Sequence, residues 1–70
     1  MAKLQKQFAK KLKALRRTRQ LTQEELAEAI GRSTSFVSGL ERGITAPSFE
    51  TLELIAKQLN VAVKDLFDFN

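Results

Sequence analysis

Between Thr22 and Gly43 the chain reads TQEELAEAIGRSTSFVSGLERG. Leu26, Ala27 and Ile30 recur at helical spacing, and so do Val37 and Leu40. Each group gives a short helix one side to bury. Gly31 falls between them, where a left-handed residue ends the first helix. Thr22-Gln23-Glu24-Glu25 has the form of a capping box, with Thr22 as the cap and Glu25 reaching back. Ser33 is placed to cap the second helix, and only Arg32 separates it from Gly31. A turn that tight holds two helices at a fixed angle, so the spacing predicts a helix-turn-helix over about residues 22–42.

The flanks supply the remaining layers. Residues 3–19 read as a helix whose apolar stripe is Leu4, Phe8, Leu12 and Leu15. A second stripe of the same helix carries Lys3, Lys6, Lys10, Lys13 and Arg17, with no acidic partner one turn away. After the loop Ile44-Thr45-Ala46-Pro47, Ser48 caps a fourth helix with Phe49, Leu52, Ile55, Ala56 and Leu59 on its inner face. Asn60 stands where a helix-ending glycine is usual. A short last helix covers about Val63 to Phe67, and Ala62 at its cap position offers no side-chain acceptor. The expectation is one all-α, five-helix domain spanning residues 1–70. No repeat or linker divides it.

Charge is divided unevenly. Residues 1–20 hold eight bases and no acid, while residues 21–70 hold four bases and all eight acids, for a net charge of +4. A polyanion would relieve the repulsion within the basic segment, and a helix-turn-helix is a device for setting one helix into the major groove of DNA. A membrane-surface helix is the rival reading of residues 3–19. Its apolar stripe, however, is the size a small core requires. The chain has neither Cys nor His. Thiolate metal sites and disulfides are therefore excluded, and so is the commonest general base. With no nucleophile–base arrangement in view, an enzyme is not expected, nor a cofactor or small-molecule ligand. No apolar run is long enough to span a membrane. A cytoplasmic location is expected.

The segments LTQEELAEAIG, SFVSGLERG, APSFETLELIAKQLNV and VKDLF, in that order, resemble the Cro and phage-repressor class of helix-turn-helix proteins, also called the XRE class. The resemblance covers nearly the whole chain. It implies a lambda-repressor-like DNA-binding fold and a sequence-specific transcriptional regulator working as a homodimer on an inverted repeat of double-stranded DNA. It also implies that Gln23 contacts a phosphate and that Arg16 pairs with Glu41. Base-reading positions by the same resemblance are Ser33, Thr34, Ser35, Ser38 and Gly39, with Arg42 on a phosphate and Arg32 reaching a phosphate or a base edge. Hydroxyls read base edges weakly beside the bidentate contacts of Arg or Gln. The family commonly carries a longer side chain where this chain has Gly39, which either removes readout or permits close backbone approach.

Lys10 and Arg17 of the basic helix are expected at phosphates, and the loop 44–47 brings no Lys or Arg of its own. Phe36 is expected to pack partly into the core. Leu66, Phe67 and Phe69 place three large apolar residues near the C-terminus and are the expected dimer interface. The short side chains at Thr34, Ser35 and Gly39 leave an alternative. That alternative is a protein-interaction module or antitoxin-like partner that keeps the fold without reading DNA. Within the DNA-binding reading, a phage-type repressor, a restriction–modification controller and an antitoxin-like autoregulator all remain open.

Overall fold

Four α-helices and a closing 3-10 helix follow one another in the computed structural model, which describes residues 3–70. They are α1 (Lys3–Thr18), α2 (Gln23–Ala29), α3 (Thr34–Glu41), α4 (Phe49–Leu59) and the 3-10 helix Val63–Phe67. No strand occurs among the described residues. The first two residues of the sequence lie outside this description.

The helix ends obey the sequence. The Thr22 hydroxyl accepts from the Glu25 N–H at 3.0 Å, and the Glu25 carboxylate accepts from the Thr22 N–H at 2.8 Å, so the capping box is complete. Ser33 and Ser48 cap α3 and α4 by accepting from the N–H three residues on. Gly31 takes a positive φ of 69° and lets the Arg32 N–H reach back to the Ala27 carbonyl, turning the chain between α2 and α3. Asn60 closes α4 in the left-handed conformation.

Among the described residues there are four α-helices rather than the expected five. Over Val63–Phe67 the chain winds as a 3-10 helix. Ala62 supplies no side-chain cap, and the only local help is the Asp65 carboxylate accepting from the Ala62 N–H at 2.9 Å. Five residues without a cap do not sustain α-helical turns, and the tighter helix suffices to drive Leu66 into the core.

That core joins Phe8 and Leu12 of α1 to Leu26, Ala27, Ile30, Val37, Leu40, Leu52, Ile55, Ala56, Leu59 and Leu66. Phe36 packs against its edge. Two expected core residues stand outside it. Leu4 is 55% exposed at the lip of a groove it shares with Phe8, Pro47, Leu52 and Phe67, and Phe49 is 86% exposed because α4 buries a side only from Thr51 onward. Leu15 is half-buried.

One backbone feature was invisible in the sequence. Gln20 adopts φ 60°, a left-handed conformation, as the chain leaves α1. A side chain there costs roughly 1 kcal/mol, which glycine avoids. Glycine also gains more entropy in the unfolded chain. We expect Gln20→Gly to raise stability by about 0.5 kcal/mol, read as a higher urea midpoint with an unchanged slope.

Candidate nucleic-acid interface

The second helix of the motif, α3, buries Val37, Gly39 and Leu40 and turns Thr34, Ser35 and Ser38 outward. Gln23 at the start of α2 and Arg42 just past α3 join those three residues around one shallow polar depression. Its walls offer one carboxamide, three hydroxyls and one guanidinium. Every side chain there can donate a hydrogen bond, and none is acidic. Such a surface fits a polyanion with acceptors on its edges.

The depression is braced from behind. Arg16 donates through Nε to Glu41 Oε2 at 2.6 Å and through Nη2 to Oε1 at 2.9 Å, while its Nη1 donates to the Leu21 carbonyl at 2.6 Å. Gln23 Nε2 adds a bond to Glu41 Oε1 at 3.1 Å. The two charged side chains are 9% and 2% exposed. Burial pushes the Glu41 carboxyl up, but the bonds from Arg16 and Gln23, with the charges of Arg16 and Lys13, hold it below its ordinary value. The bond to Glu41 raises the Arg16 pKa. One amide hydrogen of Gln23 is thus committed to Glu41, and the other is free to donate outward. Glu41 itself ties α1, α2 and α3 together behind the depression.

The other expected contact residues are spread more widely. Ser33 is exposed, but its oxygen already accepts from Phe36 N–H at 3.1 Å. Arg32 is exposed as well. Its guanidinium carbon lies 5.8 Å from the Phe36 ring centroid and its Nη2 lies 3.9 Å from a Glu50 carboxylate oxygen, so it leans toward α4. Arg17 is exposed on α1. Lys10 is exposed too, but it borders a different surface with Gln7, Lys11, Asp68, Phe69 and Asn70.

Two expectations need correction. Gly39 is not an open reading position. It is buried beneath the loop after α3, where Thr45 and Ile44 cover it. Leu66 is fully buried in its own protomer's core and has no surface to give a dimer. Phe67 is half-buried and stacks on Phe8 with ring centroids 5.5 Å apart. Of the three only Phe69 is exposed. Among the described residues no group of three or more His, Cys, Asp or Glu side chains is placed to hold a metal ion.

Sequence reasoning missed the Gln23–Glu41 bond and the covering of Gly39 by Thr45. A glycine inside a helix was the available signal for the second, since it often marks close approach of another segment.

Comparison with known proteins agrees on the architecture. The helix-turn-helix family model matches residues 12–66. The chain is 38% identical over 61 residues to the HTH-type transcriptional regulator DdrOP3 of Deinococcus deserti, covering 87% of this chain and 47% of that protein. It is 42% identical over 53 residues to the immunity repressor protein of Bacillus phage phi105, covering 76% of this chain and 37% of that one. Against the crystal structure of the restriction-modification controller protein C.AhdI from Aeromonas hydrophila, the TM-score is 0.86 at 34% identity, over 89% of this chain and 94% of that one. The chain spans less than half the length of the curated relatives DdrOP3 and the phage repressor.

Proposed function

The chain belongs to the helix-turn-helix family of the Cro and phage-repressor type, and on that premise we propose that it is a sequence-specific DNA-binding transcriptional regulator. In this reading α3 lies in the major groove and two copies act as a homodimer on an inverted repeat, with half-sites about 34 Å apart. The protein works in the cytoplasm and carries out no catalysis.

The observation that carries the reading is the single depression shared by Gln23, Thr34, Ser35, Ser38 and Arg42. Gln23 and Arg42 stand at its rim as phosphate contacts, and the three hydroxyls lie between them where base edges would be. Ser33, already engaged as a cap, donates its hydroxyl hydrogen to a neighbouring phosphate. Arg32 contacts the backbone at the edge of the site. Along α1, Lys6, Lys13 and Arg17 follow one another on one exposed stripe. The influence of Lys13 on the Glu41 carboxyl supports setting that stripe beside the motif. Lys10 is left out of the contact set because it faces the C-terminal segment.

The dimer rests on apolar surface left uncovered. Phe69 and the half-buried Phe67 meet edge to face at 6.3 Å, and Leu4, Phe8, Pro47, Leu52 and Phe67 line an apolar groove close by. With Leu66 withdrawn into the core, Phe67, Phe69 and the lip of that groove make up the proposed contact.

A mobility-shift titration tests the reading. Lys6, Lys13, Arg17, Arg32 and Arg42 in each of two protomers should give a log–log salt slope of about −9, as counterions leave the phosphates. Binding that ignores salt, or no binding to any member of a random duplex pool, would overturn it.

A further inference from the structure

Gly39 and Thr45 meet more closely than two residues with side chains could. A Cβ built on Gly39 would lie 2.6 Å from Thr45 Oγ1 and 3.3 Å from Thr45 Cβ. The loop is fixed there from below, because the Ile44 and Thr45 N–H groups both donate to the Gly39 carbonyl, at 3.0 and 3.3 Å. Thr45 therefore fills the space that a side chain at position 39 would occupy.

The direction of that space matters. Successive residues of a helix turn by about 100°, so position 39 points about 40° from Ser35 and about 60° from Arg42. Both of those residues line the polar depression. The Thr45 side chain is half-buried, and its Oγ1 enters none of the side-chain hydrogen bonds formed among the described residues. No buried side-chain polar atom among those residues lacks a partner, so this hydroxyl keeps access to solvent.

We infer that Thr45, delivered from the loop onto the bare backbone of Gly39, is a specificity-determining residue that presents its hydroxyl and methyl to base edges beside α3. The inference rests on the major-groove reading of α3. The hydroxyl can donate or accept at a base edge, and the methyl can meet the methyl of thymine. Gly39 acts through Thr45. It contributes no contact of its own and makes room for one supplied from outside the helix.

Selection from a random duplex pool, run in parallel with the wild-type chain and with Thr45→Val, Thr45→Ser and Gly39→Ala, tests this. Thr45→Val keeps the shape and removes the hydroxyl. It should change the preference at one base pair per half-site by about three- to tenfold, the worth of one net hydrogen bond. Gly39→Ala leaves Thr45 in place but forces its Oγ1 to move, so it should change the preference at the same base pair. Thr45→Ser should retain the wild-type preference wherever the hydroxyl is what reads. The helical circular dichroism of each variant confirms the fold. Unaltered preferences in both Thr45→Val and Gly39→Ala would overturn the inference while leaving the DNA-binding reading standing, and so would an equal loss of affinity for all sequences. A wild-type chain that enriches no sequence would overturn both.

Discussion

Replacing Glu41 by Ala should cost about 3–5 kcal/mol, because it strands the Arg16 guanidinium in a site where the pair is almost wholly withdrawn from water. At about 0.05–0.15 kcal/mol per residue, a domain of this size has only about 3–10 kcal/mol in all. The variant should therefore be largely unfolded or melt far below the wild-type chain, as urea titration followed by circular dichroism would show. Replacing both partners with methionine should cost much less, since no charge is then left buried. Equal losses for the single and double variants would contradict this account of the pair.

The same pair sets an acid limb on stability. Glu41 is held below its ordinary value in the folded chain, so it binds protons more readily when unfolded. Its contribution is complete above the unfolded carboxylate value of about 4.3 and drains away as pH falls through the lower folded value. Arg16 shifts the other way, upward, and its contribution is lost only in strong alkali. Stability near neutral pH should thus be flat in this respect. Glu41→Gln should flatten the acid limb below about pH 4.3.

The second large effect is on binding. Changing Lys6, Lys13 and Arg17 together to Gln removes three cations per protomer, six per dimer. The salt slope should become shallower by about 5, and affinity near 0.1 M salt should fall by about three to five orders of magnitude. The ranking of DNA sequences should hardly move, because phosphate contacts position the protein without reading bases. All three side chains lie on the exposed side of α1, so the fold should tolerate the change. A variant with wild-type affinity and slope would exclude α1 from the interface.

Much of this architecture was legible residue by residue. Thr22 and Glu25, Gly31, Ser33, Ser48 and Asn60 carry their backbone instructions locally, so the helix ends were readable from short spans of sequence. Most buried apolar positions from Phe8 to Leu59 followed from helical spacing, whereas the buried Ala9 and Thr51 did not. What spacing cannot convey is how much of an apolar stripe the neighbouring elements cover. Leu4 and Phe49 have the period of core residues but sit in first turns whose apolar side is left largely uncovered. Leu66 and Phe69 look alike in sequence, yet only one of them meets a cavity of the right shape.

The site divided along the same line. Gln23, Thr34, Ser35, Ser38 and Arg42 share a motif and also share a surface. Lys10 shares a stripe with Arg17 but borders the C-terminal segment at Asp68, Phe69 and Asn70. Thr45 went unrecognised because its significance depends on a loop folding back onto Gly39, a contact that no periodicity encodes.

The central claim is that the depression around α3 is where DNA binds. Mapping the backbone amides of isotope-labelled protein by NMR, while a short duplex is added at low salt, addresses it most directly. The account predicts shifts concentrated at Gln23, Thr34, Ser35, Ser38 and Arg42, extending to Arg17 and Lys13, with Glu53 and Lys57 of α4 unmoved. Shifts centred instead on the groove at Leu4, Pro47 and Phe67, or no shifts at any DNA concentration, would contradict it.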